Sequence, residues 1–93
     1  LVGRAMPVIE ADYMAGEESV GPLAAKPFGL MLEALDNLTP GEIYVASGSA
    51  TPYALWGELM TTRAKYLGAV GALLNGYARD VAGICALDFP TFA

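Results

Sequence analysis

Histidine is absent from this 93-residue chain, and cysteine occurs once, at Cys85. The first absence excludes a Ser-His-Asp triad, a His-ligated zinc site and imidazole acid–base chemistry. Any chemistry must run on carboxylates, arginine, lysine, tyrosine, backbone amides or a metal held by oxygen. A single thiol cannot close an internal disulfide, which fits a reducing cytoplasm. With no imidazole to act as its base, Cys85 is expected to be a small buried hydrophobe. Basic residues are also scarce: five Lys or Arg stand against ten Asp or Glu, for a net charge of -5. No basic cluster exists, so counterion release has nothing to work with and nucleic acid is not an expected partner. The acidic balance disfavours anionic membrane surfaces, and no apolar run reaches the roughly 18 residues that a membrane span needs.

What the chain does have is apolar side chains, 55% of the total, ample for a packed core. Its length allows one domain at most. It begins at Leu1 and ends in "FPTFA", both inside strand-like runs, so residues 1–93 are expected to be one partial domain, incomplete at both ends.

"VGRAMPVIE" reads as an opening strand that Pro7 confines to an edge or a bulge. Residues 11–29, rich in Gly and Pro, read as a loop with short ordered pieces. Leu30, Met31, Ala34, Leu35 and Leu38 recur at helical spacing, and Thr39-Pro40-Gly41 stops that helix. "EIYVAS" is a strand ended by Gly48-Ser49. Thr51-Pro52 resembles a cap and first turn, which predicts a helix over 52–67. Its buried stripe would be Trp56, Leu59, Met60, Ala64 and Leu67, with Glu58, Thr61, Thr62 and Lys65 facing away and Gly68 as C-cap. "AVGALLN" is a continuous apolar run, the mark of a strand buried on both faces. Asn75-Gly76 turns the chain, Asp80 starts the helix "VAGICALDF", and "TFA" begins a last strand. The order from residue 42 is therefore β-α-β-α-β, which argues an α/β fold with a mostly parallel sheet. In such sheets ligands bind beyond the carboxyl ends of the strands. Two such ends are visible, the "SGSATPYALWGEL" turn and the "NGYARDV" turn.

Four features at those ends carry chemistry, and each has two readings. Gly57 is either a small residue for close helix packing or the point where the chain breaks and a new helix starts. In the second case the amides from Gly57 to Met60 point outward and can bind carboxylate or phosphate oxygens. Glu58 is either a first-turn acid favoured by the helix dipole or a ligand to a metal or its water. Asp80 is either an N-cap or a hard oxygen ligand for Mg²⁺, which keeps several waters and takes one or two protein carboxylates. Arg79 is either a solvated surface charge or a planar fork matched to a carboxylate. "SGSATP" lacks the glycine-rich nucleotide motifs, and Tyr77 stands in the second turn without a clear task.

The stretch "ALWGELMTTRAKYLGAVGALLNGYARDVAGICALDFPTFA", residues 54–93, resembles the RraA-like family. Its most specific element is G-[ED]-L followed at this distance by G-x-x-R-D; "LTPGEIYVASG" resembles the preceding strand, while residues 10–30 match poorly. The family includes 4-hydroxy-4-methyl-2-oxoglutarate aldolases, which also decarboxylate oxaloacetate, the regulator of ribonuclease E activity, and chains labelled demethylmenaquinone methyltransferase-like. The resemblance implies a β/β/α swivelling-type domain, assembled as homotrimers or hexamers with active sites between subunits. It implies that Gly57, Glu58, Leu59 and Met60 bind substrate carboxylate, that Arg79 binds substrate, and that Asp80 holds a divalent cation, Mg²⁺ or Mn²⁺. Glu58 matches an acidic position that orients metal-bound water. Two departures follow: Asn75 stands where many members have Asp, and the acidic group that the family takes from a neighbouring subunit's C-terminal region has no counterpart in residues 1–93.

The expected function is a metal-dependent, class II type lyase that cleaves 4-hydroxy-4-methyl-2-oxoglutarate or related 2-oxo acids to pyruvate, with oxaloacetate decarboxylation. The alternative is a non-catalytic regulator that binds ribonuclease E. No loop for S-adenosylmethionine is present, which disfavours a methyltransferase. The lyase reading requires Arg79 and Asp80 to converge with the amides of 57–60 around one pocket.

Overall fold

The computed structural model describes residues 1–9, 31–47 and 54–93. The elements run β1 (Arg4–Ile9), α1 (Met31–Asp36), β2 (Glu42–Ser47), β3 (Ala54–Trp56), α2 (Glu58–Tyr66), β4 (Gly71–Leu74), β5 (Tyr77–Ala78), α3 (Val81–Ala86) and β6 (Thr91–Phe92). Four strands form a parallel sheet in the order β1-β2-β4-β6, and β3 pairs with β5 in a separate two-stranded parallel ribbon. The described residues thus form a mixed α/β fold with a parallel sheet and three helices. The β-α-β-α-β order holds for β2, α2, β4, α3 and β6, with β3 and β5 added ahead of the two helices. Pro7 lies in β1, at the sheet edge, where its missing N–H costs no ladder bond.

The register sorts the sheet into two faces. Tyr44, Ala46, Ala72 and Leu74 point to one side and are buried against Leu35 and Leu38, Ala64 of α2 and Ile84 of α3. Trp56 completes this core, with its ring 4.7 Å from Tyr44 and stacked at 6.2 Å on Phe89. The other side carries the aligned row Pro7, Val45, Leu73 and Phe92. Leu73 is 49% exposed there, so β4 is not buried on both faces. The reason is that the described helices lie together on one side: α1 packs on α2 and α2 on α3.

The turn that stops α1 is pinned by charge. The Thr39 amide and hydroxyl donate to the Glu42 carboxylate at 2.6 and 2.8 Å, and Arg4 donates to the Pro40 carbonyl at 2.7 Å. The Thr39 amide bond, then the Thr39 hydroxyl, hold the Glu42 carboxyl below its ordinary range, and Arg4 adds to this. Gly68 closes α2 with φ +88, a conformation that favours glycine. No helix among the described residues is long and apolar enough to cross a membrane.

Three further expectations are corrected. The helix predicted over 52–67 begins at Glu58, because residues 54–56 are strand β3. The shorter helix has a different buried stripe: Thr61 is fully buried and Leu59 is 82% exposed. Cys85 is exposed rather than buried, since α3 turns Ile84 to the core and its neighbour away. The loop reading of 11–29, the Gly48-Ser49 break and the Thr51-Pro52 cap lie outside the described residues.

Candidate functional site

The two-stranded ribbon builds the site. β3 runs into Gly57 and α2, and β5 runs into Arg79, Asp80 and α3. Parallel pairing places Trp56 beside Ala78, so the residues that follow each strand emerge side by side. The Arg79 N–H extends the ladder by one bond, donating to the Trp56 carbonyl at 3.0 Å.

Gly57 stands between the two elements. Its backbone is extended (φ -157, ψ -176), so the glycine is not needed for conformation. It is needed for space. A Cβ at position 57 would lie 3.1 Å from Asp80 Oδ2, 3.2 Å from Arg79 Nε and 3.3 Å from Arg79 Cγ. Of the two readings of Gly57, the geometry shows the chain break with a new helix after it. The first intrahelical bond of α2 is Thr61 N–H to the Gly57 carbonyl, at 3.0 Å. The amides of Glu58, Leu59 and Met60 therefore precede the ladder, as in the first turn of any α-helix.

Asp80 occupies the N-cap position of α3 but makes no side-chain cap hydrogen bond. Its backbone is left-handed (φ 57, ψ 40), a conformation that Asp tolerates better than most residues. Its Oδ2 instead accepts the Glu58 N–H at 3.3 Å, the first amide of the other helix. Arg79 Nε lies 3.8 Å from the same oxygen, with the side chains 75% and 48% exposed. An ion pair so exposed adds little to stability. The Glu58 side chain reaches across to α3, its carboxylate lying over Gly83. Tyr77 is 60% exposed in β5 and pairs with Ala54.

A buried relay fixes the loop from below. Thr61 Oγ1 accepts the Trp56 indole N–H at 2.7 Å and donates to the Gly57 carbonyl at 2.9 Å. Lys65 ties α2 to α3 by donating to the Leu87 carbonyl. Sequence reasoning missed Thr61 and Gly83. A glycine inside a helix was the available signal for the latter.

The six predicted residues Gly57, Glu58, Leu59, Met60, Arg79 and Asp80 thus lie on two adjoining segments rather than on opposite sides of the molecule. Leu59 projects to solvent and Met60 is half-buried. Among the described residues, no group of three or more His, Cys, Asp or Glu could hold a metal ion. The Asp80 carboxylate is a hard oxygen donor, and the glycine cradle leaves it uncovered by any side chain at position 57. Such a donor suits a Mg²⁺-like cation, which relies on water and substrate for its other ligands.

A family model described as "RraA-like: Aldolase/RraA" matches residues 1–93. The chain belongs to the RraA-like family. It is 31% identical over 94 residues to a protein of Halalkalibacterium halodurans (strain ATCC BAA-125 / DSM 18197 / FERM 7344 / JCM 9153 / C-125) named "Putative 4-hydroxy-4-methyl-2-oxoglutarate aldolase"; the match covers 99% of this chain and 44% of that one. A solved structure described as "Crystal structure of novel cellulases from microbes associated with the gut ecosystem" superposes with a TM-score of 0.71 at 28% identity. That superposition covers 96% of this RraA-like chain and 37% of the other. The chain spans less than half the length of either.

Proposed function

We propose that residues 57–60 with Arg79 and Asp80 form the substrate end of a divalent-metal-dependent lyase site. The substrate would be 4-hydroxy-4-methyl-2-oxoglutarate or a related 2-oxo acid, including oxaloacetate. The observation that carries this reading is the meeting at Gly57, where Asp80 Oδ2 and Arg79 Nε lie within 3.2 Å of the position a Cβ would take. A guanidinium fork, an oxygen ligand and the start of a helix converge on a spot kept clear by a glycine. The family and the named relative support the same chemistry.

Arg79 would grip the carboxylate beside the 2-oxo group, with two parallel charge-assisted hydrogen bonds. The amides of Leu59 and Met60 would add backbone donors to the same anion. Asp80 would hold Mg²⁺ or Mn²⁺. When bound, the cation supplies Lewis-acid stabilisation of negative charge that develops on the 2-oxo end. In the aldol cleavage the hydroxyl at C4 loses its proton and the C3–C4 bond breaks. The electron pair forms the enolate of pyruvate, which takes a proton at C3, and the other fragment is a second pyruvate. From oxaloacetate the departing fragment is CO₂. Glu58, the first residue of α2, would orient the water that carries the proton.

The whole protein would assemble as a homotrimer or hexamer in the cytoplasm. The family description, which names RraA beside aldolase, also admits the rival reading, a regulator that binds ribonuclease E without catalysis. One experiment separates the two. Pyruvate release by the full-length protein is measured with and without EDTA, beside the Asp80→Ala variant. The lyase reading expects activity that chelation and Asp80→Ala both abolish. Activity indifferent to both refutes the metal role, and capture of ribonuclease E by a protein with no pyruvate release supports the regulator.

A further inference from the structure

We propose that Gly83 is a positioning residue for the Glu58 carboxylate. The proposal rests on the role given to Glu58 above, and it concerns what holds that side chain in place. Gly83 is the third residue of α3, inside a helix of six. Glycine is a poor helix residue, so its presence there calls for a spatial cause. The cause is visible across the α2–α3 junction. A Cβ at position 83 would lie 2.5 Å from Glu58 Oε2 and 2.9 Å from Glu58 Cγ, inside contact distance for both. The carboxylate therefore lies directly on the α3 backbone, in space that any other residue would fill.

The rest of Glu58 is held independently. Its N–H bonds Asp80 Oδ2 at 3.3 Å, and Thr62 Oγ1 donates to its carbonyl at 3.0 Å. With the backbone fixed, the side chain has one shelf toward α3, and Gly83 is that shelf. The group in conflict with a methyl is the far end of a flexible, exposed side chain. An alanine would displace the carboxylate from its place over α3 and leave the helix intact. A residue that merely packs would show the opposite pattern, losing stability along with activity.

The test is a pair of mutant cycles in the full-length protein. Gly83→Ala is expected to melt at the same temperature as wild type or higher, because alanine is the better helix residue. Its pyruvate release is expected to fall by roughly 100-fold in kcat, with KM changed less than about twofold, the scale of a misplacement of about 1 Å. In a Glu58→Asp background the carboxylate no longer reaches position 83, so Gly83→Ala is expected to cost nothing further. The second cycle reads the contact without activity: the rise in melting temperature on Gly83→Ala is expected to be larger in a Glu58→Ala background than in wild type. Equal melting shifts in the two backgrounds overturn the contact. Equal kinetic losses in the wild-type and Glu58→Asp backgrounds overturn the positioning role. A wild-type protein that releases no pyruvate refutes the lyase reading instead, and the melting cycle then still decides the contact.

Discussion

Gly57→Ala separates the site from the fold most sharply. The new methyl would sit 3.1 Å from Asp80 Oδ2 and 3.2 Å from Arg79 Nε. Comfortable contacts begin near about 3.5 Å, so each side chain must retreat by a few tenths of an ångström. Both can, being 48% and 75% exposed. The extended backbone at residue 57 accepts alanine without strain. A Gly→Ala change at such a position stabilises by about 0.4–1 kcal/mol, through the unfolded chain. The small crowding cost offsets part of this, so the melting temperature should stay level or rise slightly. Catalysis should not stay level. A misplacement of about 1 Å costs roughly 100-fold, so a few tenths of an ångström at two groups predicts a loss of roughly tenfold in kcat/KM. That is about 1.4 kcal/mol of transition-state stabilisation. The assay is pyruvate release from 4-hydroxy-4-methyl-2-oxoglutarate, beside a thermal melt of the same preparation. Wild-type kcat/KM in Gly57→Ala would refute the claim that the space beside residue 57 belongs to the substrate. A collapsed melting temperature would refute the claim that the crowded groups are free to yield.

Thr61→Val removes the acceptor of the buried Trp56 indole N–H. It should destabilise by about 1–3 kcal/mol in chemical denaturation, whereas Thr61→Ser, which keeps the hydroxyl, should lose only about 0.8 kcal/mol. Glu42 has its carboxyl lowered in the folded state, so its contribution is present above the ordinary glutamate value of about 4.3 and is lost as pH falls through the lower folded value. Glu42→Gln should therefore flatten the acid limb of a stability–pH curve; an unchanged limb would contradict the Thr39 contacts. At Asp80, asparagine tolerates the left-handed backbone and alanine does not, so Asp80→Ala should be less stable than Asp80→Asn by about 1 kcal/mol, while both lose chelator-sensitive activity. Equal melting temperatures for the two would show that the backbone there carries no strain.

The parallel sheet was legible because its signals are local. β2 and β4 are apolar runs bounded by turn residues, and α1 has a clean helical period. The helix start at Gly57 was legible only as one of two readings, because Trp56, Met60, Ala64 and Leu67 also fit a helix running through from residue 52. Strand β3 is three residues long and β5 two, too short for a period-2 pattern to register. Burial of Thr61 escaped a hydrophobicity argument because its hydroxyl is satisfied by an indole and a carbonyl that only the fold brings near. The exposure of Cys85 escaped for a related reason: with six residues, α3 has little inward-facing surface, and Ile84 takes it.

The adjacency of Arg79 and Asp80 gains its meaning from the backbone between them. Neighbours in an extended strand point to opposite faces, so a continued β5 would send the guanidinium and the carboxylate apart. The left-handed turn at Asp80 cancels that alternation. It brings the carboxylate back to the side of Gly57, so that both charged groups lie within 3.2 Å of one point. The same turn takes the Asp80 side chain off its own helix, which is why an aspartate in the cap position makes no cap bond. A residue that only started α3 would serve better with an ordinary extended cap conformation. Strain of about 1–3 kcal/mol persists where the surroundings enforce it, and such positions cluster at ligand sites. Here the enforcing contacts are the Arg79 bond to Trp56 and the Glu58 amide on Asp80, supplied by the other strand of the ribbon and by the helix that follows it. The pairing of β3 with β5 is therefore what converts two separate loops into one candidate pocket, and a lesion in that pairing should disable the site before it unfolds the sheet.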